Sequence, residues 1–179
     1  MKKLEKIEKL KNEKSYCMLI RKSGDFQENT TGYILAFSKD FIVLQETNNF
    51  RIDGYLIIPV KTIKSIRRNK FEKTIQKIHH KEGLYSRVGI KHKIDLTSWN
   101  SVCKSIKKTK LCVISECENP KQEYFCIGNI KRVNKKSLSI QYFDGTGKLD
   151  SFNTKHYFKE ITKLAFDDIY ANTFTKYTK

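Results

Sequence analysis

The histidines are the first residues to consider, because an imidazole can act as a general base or as a metal ligand. The chain has four of them. His79 and His80 are adjacent, so on a helix their side chains point about 100° apart and do not share one metal ion easily. His92 and His156 lie far away in sequence and lack the ligand spacing of a zinc site. We therefore expect no metal and no cofactor.

Two further segments could carry chemistry. Asp167 and Asp168 form a carboxylate pair, which could be catalytic, but acids at a predicted helix start more often cap the helix and complement its dipole. The glycine-rich segment Asp144–Gly147 lacks the Lys and Ser or Thr of a phosphate-binding loop and is followed by a predicted strand, so it is interpreted as a hairpin turn. No catalytic residues are assigned, and the chain is not predicted to be an enzyme.

Cations are the candidates that remain. The chain has 36 Lys and Arg against 19 Asp and Glu, a net charge of +17. Such a charge favours attraction to nucleic acid or to an anionic surface, although a lysine-rich composition alone has the same effect on the isoelectric point. Two basic clusters are singled out as nucleic-acid-binding candidates. They contain Lys64, Arg67, Arg68, Lys70 and Lys73 in the first half, and Lys104, Lys107 and Lys108 in the second.

Each cluster has a structural alternative. Arg67 and Arg68 could fork onto phosphates in a bidentate manner, and Phe71 or Tyr85 could stack on bases. At this helical spacing, however, Phe71 more often belongs to a core. The lysines of the second cluster stand near the end of a predicted helix, where cations also complement the helix dipole.

Hydrophobic periodicity supplies the elements that must position these residues. In the first half it predicts a helix, five strands and a trailing helix: Lys2–Lys14, then Tyr16–Ile20, Thr31–Phe37, Phe41–Glu46, Arg51–Pro59 and Val60–Ile66, then Asn69–His80. In the second half the same order recurs: Leu96–Lys108, then Leu111–Cys117, Tyr124–Val133, Ser137–Phe143, Lys148–Thr154 and Phe158–Leu164, then Asp167–Tyr177.

The two halves are copies of one design. Gly32-Tyr33-Ile34 returns 96 residues later as Gly128-Asn129-Ile130, and the turn and strand that follow return with no gap. A period of this length indicates two small domains and not a solenoid, whose units are shorter. We place these domains at residues 1–93 and 94–179, each with a leading helix and five short strands.

Five short, bent, consecutive strands close most naturally into a small barrel, because closure removes exposed edges. The segment Gly32–Phe37, followed after a turn by Phe41–Leu44, resembles the first motif of Sm-like domains, and Gly128–Val133 resembles it as well. The resemblance implies a mainly β fold with α, built as two tandem five-stranded Sm-like or SH3-like barrels, and it implies RNA as the ligand. The turn residues that hold a uracil base in that family are replaced here by Ser38 and Lys39.

These observations favour a non-enzymatic cytoplasmic binding module that contacts nucleic acid, RNA in preference to DNA, through phosphate-directed Lys and Arg. The alternative is a protein-interaction or scaffold module that meets an acidic protein partner; a barrel that binds a small ligand is a third possibility. No apolar run approaches the ~18 residues of a membrane helix, and the five cysteines contain no CxxC pair. We expect a monomer or homodimer without membrane attachment.

Overall fold

A computed structural model describes residues 2–48 and 50–179 of the chain. The chain divides into two compact units, Met1–Lys91 and His92–Lys179. This boundary lies two residues before the one placed from the repeat. Both units are mainly β with α, as predicted.

In the first unit a leading helix precedes five antiparallel strands and a trailing helix. The elements are α1 (Lys3–Asn12), β1 (Tyr16–Ser23), β2 (Phe26–Phe37), β3 (Phe41–Asn48), β4 (Arg51–Pro59), β5 (Ile63–Arg67) and α2 (Lys70–Lys81). The strands lie in the order β5-β1-β2-β3-β4. A single 3-10 turn, Val60–Thr62, leads from β4 to β5.

The second unit repeats this plan. Its elements are α3 (Trp99–Thr109), β6 (Cys112–Cys117), β7 (Tyr124–Val133), β8 (Ser137–Phe143), β9 (Leu149–Tyr157), β10 (Lys163–Phe166) and α4 (Ile169–Thr175). The strand order, β10-β6-β7-β8-β9, matches that of the first unit. In both units the fifth strand of the copy therefore pairs with its first strand.

The prediction of two closed barrels is wrong. Among the described residues, the strand ladders leave β4 and β5 at opposite ends of the first unit's sheet, and β9 and β10 at opposite ends of the second unit's sheet. Consecutive antiparallel pairing follows from short connections, whereas closure also requires matched tilt and stagger around the whole sheet. The fifth strands have only 5 and 4 residues, which leaves little length for a closing ladder.

The first hairpin is longer than the sequence indicated. The β1–β2 register continues to the pair Ser23↔Phe26, so most of residues 21–30, which separated the two predicted strands, is strand. Gly24 has a φ of 59°, a conformation that suits glycine at the tip of this hairpin. Polar residues at 27–29 are exposed, which explains why they resembled a loop.

The leading helices bury equivalent positions. In α1 the buried side chains include Ile7 and Leu10, and in α3 they include Cys103 and Ile106, 96 residues later. α3 packs against β7 and β8. Ser98 caps α3, since its hydroxyl accepts a hydrogen bond from the backbone N–H of Ser101 at 3.1 Å. None of the helices in the described part of the chain is long and apolar enough to cross a membrane.

Candidate nucleic-acid interface

Arg67, one of the two arginines predicted to bind phosphate, already has an anionic partner. Its Nε and Nη2 atoms donate to Oε1 of Glu72 at 3.0 and 2.7 Å. The other oxygen of this buried carboxylate accepts from the Asn69 backbone at 2.9 Å and so completes the capping box of α2. Burial raises the pKa of Glu72, but the hydrogen bonds from Arg67 and Asn69 outweigh it and leave the pKa below its usual value.

Arg68 is also engaged within the first unit. Its Nη1 atom donates to the backbone oxygen of Tyr16 at 2.8 Å, which ties the end of β5 to the start of β1. Both arginines are half-buried. The structure thus places the pair among intramolecular partners that stabilise the fold.

The other candidates of this cluster are exposed. Lys64 lies on β5, and Lys70 and Lys73 lie on α2. With Lys77 and Lys81 the α2 lysines fall at helical spacing and form one solvent-facing row. Beside this row Phe71 is 61% exposed, with the Lys70 ammonium 5.4 Å from its ring centroid, so the core interpretation of Phe71 is wrong.

The second predicted cluster lies on α3, a helix that contains no acidic residue. Lys104, Lys107 and Lys108 are all exposed. A groove of about 580 Å³ is lined by Lys93, Lys104 and Lys108 together with Asp95. A second groove, of about 370 Å³, is lined by Lys107, Lys110 and Lys131. The α3 lysines therefore line two grooves.

These lysines differ in how they are held. The Lys107 ammonium donates to the backbone oxygen of Lys131 at 2.5 Å. Lys104 and Lys108 make no hydrogen bond or ion pair with any other residue in the described ranges. Asp95 accepts hydrogen bonds from Thr97, which lower the pKa of its carboxyl. The two ammoniums thus share a groove with an ionised carboxylate that is hydrogen-bonded to Thr97.

The equivalent helix of the first unit uses its lysines differently. The ammoniums of Lys3 and Lys6 donate to the backbone oxygens of Ile63 and Ile66 at 2.5 and 2.6 Å. α1 also carries glutamates, among them Glu8. Lys3 and Lys6 of the leading helix therefore serve the fold in the first copy, whereas Lys104 and Lys108 remain available in the second.

A further basic surface was missed from the sequence. It is the solvent face of β8 and β9 in the second unit, where Tyr157 is 42% exposed. The ammoniums of Lys155 and Lys159 lie 4.7 and 6.0 Å from the Tyr157 ring centroid. The predicted strand ended at Thr154, whereas β9 continues to Tyr157. The alternation of exposed Lys155 and Tyr157 around the buried His156 is the signal that could have revealed it.

The counterpart of this face in the first unit is closed. β4 is buried throughout Gly54–Pro59, while β9 is exposed over most of its length. In sequence, Tyr55-Leu56-Ile57-Ile58 of β4 corresponds to Asn153-Thr154-Lys155-His156 of β9. The copies have kept the strand and exchanged its apolar side chains for polar ones.

The buried histidines His79 and His156 make contacts that belong to the core of each unit. His79 is fully buried, and a 2.7 Å hydrogen bond joins its Nδ1 atom to the Tyr33 hydroxyl. His156 stacks on Tyr124 with ring centroids 4.2 Å apart. Burial lowers the pKa of both imidazoles. Within the described residues, no group of three or more His, Cys, Asp or Glu side chains could hold a metal ion.

Asp168 and the cysteines also have structural roles. Asp168 is the N-cap of α4 and accepts from the Ala171 backbone at 2.7 Å, which confirms the capping interpretation. Its neighbour Asp167 lies 3.0 Å from the Nε2 atom of His92. All five cysteines are free and buried, and burial raises the pKa of Cys17, Cys103 and Cys126 to about 12. These thiols pack as small apolar side chains.

The chain matches no protein-family model, no curated protein and no solved structure. The resemblance to Sm-like domains stays a prediction, and the basic surfaces of the second unit carry the inference of function.

Proposed function

We propose that the chain is a non-enzymatic, cytoplasmic nucleic-acid-binding module, and that lysines of α3 make its phosphate contacts. The observation that carries this proposal is an acid-free helix whose exposed lysines line two grooves. RNA is preferred to DNA as the ligand because of the resemblance to Sm-like domains. The free thiols suit the reducing conditions of a cytoplasm.

Lysine chemistry supports phosphate as the group that is contacted. An ammonium is a compact point charge with three donors, and it binds phosphate oxygens without a fixed geometry. Lys104 and Lys108 are four residues apart, about 6 Å along the helix axis, so neighbouring phosphates of one strand could reach both. Each phosphate contact releases counterions, which makes the affinity fall as salt rises.

The test is fluorescence anisotropy with short labelled RNAs over a series of salt concentrations. The wild type should bind at low salt, with a logarithmic affinity that falls linearly with the logarithm of salt concentration. The double variant Lys104→Gln/Lys108→Gln should bind more weakly and lose about 1.4 from that slope, since a single-strand contact contributes about 0.7.

The matched control is Lys9→Gln/Lys11→Gln, which removes the same charge from α1. It should leave the salt slope unchanged if α3 makes the contacts. The proposal fails if the wild type shows no affinity at low salt. It also fails if both double variants weaken binding equally, because binding would then follow total charge and not the α3 surface.

A specific observation favours the alternative, a protein-interaction module. Phe125 and Tyr170 are 51% and 52% exposed, and their ring centroids lie 6.4 Å apart. Tyr170 packs in turn on Phe174 at 4.9 Å. Exposed aromatic side chains of this kind are typical of protein interfaces. A second copy or an acidic protein is the partner that this interpretation implies.

Sedimentation velocity over a range of protein concentrations tests that alternative. If the aromatic row joins two copies, the sedimentation coefficient should rise with concentration, and the Phe125→Ser variant should stay monomeric. The protein-interaction alternative is contradicted if the wild type stays monomeric at every concentration and does not bind acidic peptides.

A further inference from the structure

The second unit presents an exposed aromatic ring with two lysine ammoniums over it, on an otherwise polar sheet face. Tyr157 ends β9 and pairs with Ser137 across to β8. The ammoniums of Lys155 and Lys159 lie over its ring, 4.7 and 6.0 Å from the centroid. Because side chains alternate along a strand and His156 is buried, Tyr157 and Lys155 both point to the solvent side.

The neighbours of Tyr157 on this face are hydrogen-bonding groups and a further cation. Arg132, Ser139 and Lys155 lie side by side across β7, β8 and β9, since residues paired across strands share a face. Gln141 and Asn153 form the next pair on the same side. Amides, hydroxyls and cations recognise base edges and phosphates, whereas an apolar protein partner would find little here to bury.

The end of β9 lies beside the start of α3. The residue after Tyr157, Phe158, stacks on Trp99 at the start of α3 with ring centroids 6.4 Å apart. Lys104, the first lysine of α3, lies five residues after Trp99, about 8 Å further along the helix axis. A strand of a few nucleotides could therefore touch Tyr157 and the α3 lysines together.

We propose that Tyr157 is a stacking platform for an unpaired base, which makes the second unit a reader of single-stranded nucleic acid. The proposal deepens the proposed function and rests on it. An exposed ring accepts a base only when that base is splayed out of a helix, and such platforms are the usual means of binding single strands. The base would displace the two ammoniums from the ring, and they would then meet the neighbouring phosphates.

An extended peptide added to the edge strand β9 is the competing occupant. The side chains argue against it. Edge addition takes its specificity from pockets for alternate side chains, and this face offers cations and amides in their place. A lysine on an edge strand is also a common guard against such pairing. The positive charge of this face therefore favours a polyanion as its ligand.

The experiment measures anisotropy with one labelled single-stranded RNA and with a duplex of the same sequence. Tyr157→Leu should lose about fivefold to a hundredfold in affinity for the single strand, the range expected for one stacked base, and should bind the duplex as the wild type does. Tyr157→Phe should retain single-strand affinity, because it keeps the ring. Tyr177→Leu, which alters another exposed tyrosine, is the matched control and should bind like the wild type.

A direct readout accompanies the affinities. Irradiation of a complex with 5-iodouridine RNA should cross-link Tyr157, and mass spectrometry of the digested complex should locate the adduct there. Thermal unfolding of each variant shows whether the fold has survived the substitution.

The outcomes separate this inference from the proposed function. If Lys104→Gln/Lys108→Gln weakens binding but Tyr157→Leu does not, the stacking platform is wrong and the phosphate contacts stand. Equal losses for single strand and duplex in Tyr157→Leu also overturn the platform. Absence of any RNA affinity in the wild type removes both. Displacement of the RNA by an extended acidic peptide would reassign the face to edge addition.

Discussion

At the scale of single residues, the repeated glycine has a structural cause. A Cβ atom on Gly32 would collide with the backbone oxygen of Gln45, and one on Gly128 would collide with that of Gln141. Each glutamine follows its glycine by 13 residues, so both copies keep the same close approach of β2 to β3 or of β7 to β8. The motif that revealed the duplication in the sequence is therefore a packing requirement of the scaffold.

This cause predicts the effect of adding one methyl group. Gly32→Ala and Gly128→Ala should each lower the free energy of unfolding by about 1–3 kcal/mol, because the neighbouring strand must shift to relieve the collision. Urea denaturation followed by circular dichroism measures the change. Gly145→Ala is the control, since a Cβ atom there meets nothing within 4 Å. A variant at Gly32 or Gly128 as stable as this control would refute the explanation.

The residue scale also shows where sequence reasoning ends. Charge and spacing selected Arg67 and Arg68 as phosphate ligands, but neither reveals that Glu72 and the Tyr16 carbonyl take up their donors. Tyr16 is brought close by the β1–β5 pairing, a long-range contact with no local signature. Glu72 is close in sequence, five residues after Arg67, but its spacing does not show that its carboxylate turns back onto the guanidinium. Phe71 follows the same logic in reverse: helical spacing suggested a core residue, and the orientation of α2 leaves it exposed.

At the scale of elements, helix α2 depends on a shared acid. Glu72 is 3% exposed and serves both the Asn69 cap and the Arg67 guanidinium. Loss of the arginine would leave a buried carboxylate with one partner fewer, which is costly. Because Arg67 is partly exposed, water can reach the site that the arginine leaves and solvate the Glu72 carboxylate in part. The loss of stability should therefore be smaller than for a fully buried ion pair.

We therefore expect Arg67→Met to reduce the free energy of unfolding by about 1–3 kcal/mol. The double variant Arg67→Met/Glu72→Gln should recover part of that loss, because it removes the unpaired charge as well. Chemical denaturation of both variants, with Arg51→Met at the exposed start of β4 as control, gives the comparison. A double variant less stable than Arg67→Met would show that the charge of Glu72 is not the cause.

Hydrophobic periodicity predicted the positions of the helices and strands correctly, but the prediction that the strands close into barrels was wrong. In the described part of the chain, the ten strands and four α-helices all overlap their predicted positions, because alternation and helical spacing are local properties. β10, however, begins at Lys163 and not at Phe158. The β1–β2 hairpin was underestimated since its outer residues are polar on both sides. Whether β4 and β5 pair depends on the summed twist of five strands, which no window of sequence contains.

At the scale of the whole molecule, two copies of one scaffold have diverged in charge and exposure. In the first unit β4 is apolar and mostly buried, and Lys3 and Lys6 of α1 bind backbone oxygens. The second unit exposes β9 and leaves Lys104 and Lys108 free of partners in the described ranges. The sequence indicated the duplication, but only the contacts separate lysines that hold the fold from lysines that can bind a ligand.

The equivalence of the two leading helices allows a test at constant net charge. Glu8 of α1 and Lys104 of α3 occupy equivalent exposed positions, 96 residues apart, so Glu8→Lys/Lys104→Glu moves charge between the units and keeps the total at +17. If the α3 surface binds phosphate, this variant should lose RNA affinity and salt dependence, because a carboxylate would now face the strand. If binding follows total charge, anisotropy titrations will match the wild type. The carboxylate introduced on α3 would stand four residues before Lys108, a favourable helical pair, so α3 should remain folded and the loss would report on the interface itself.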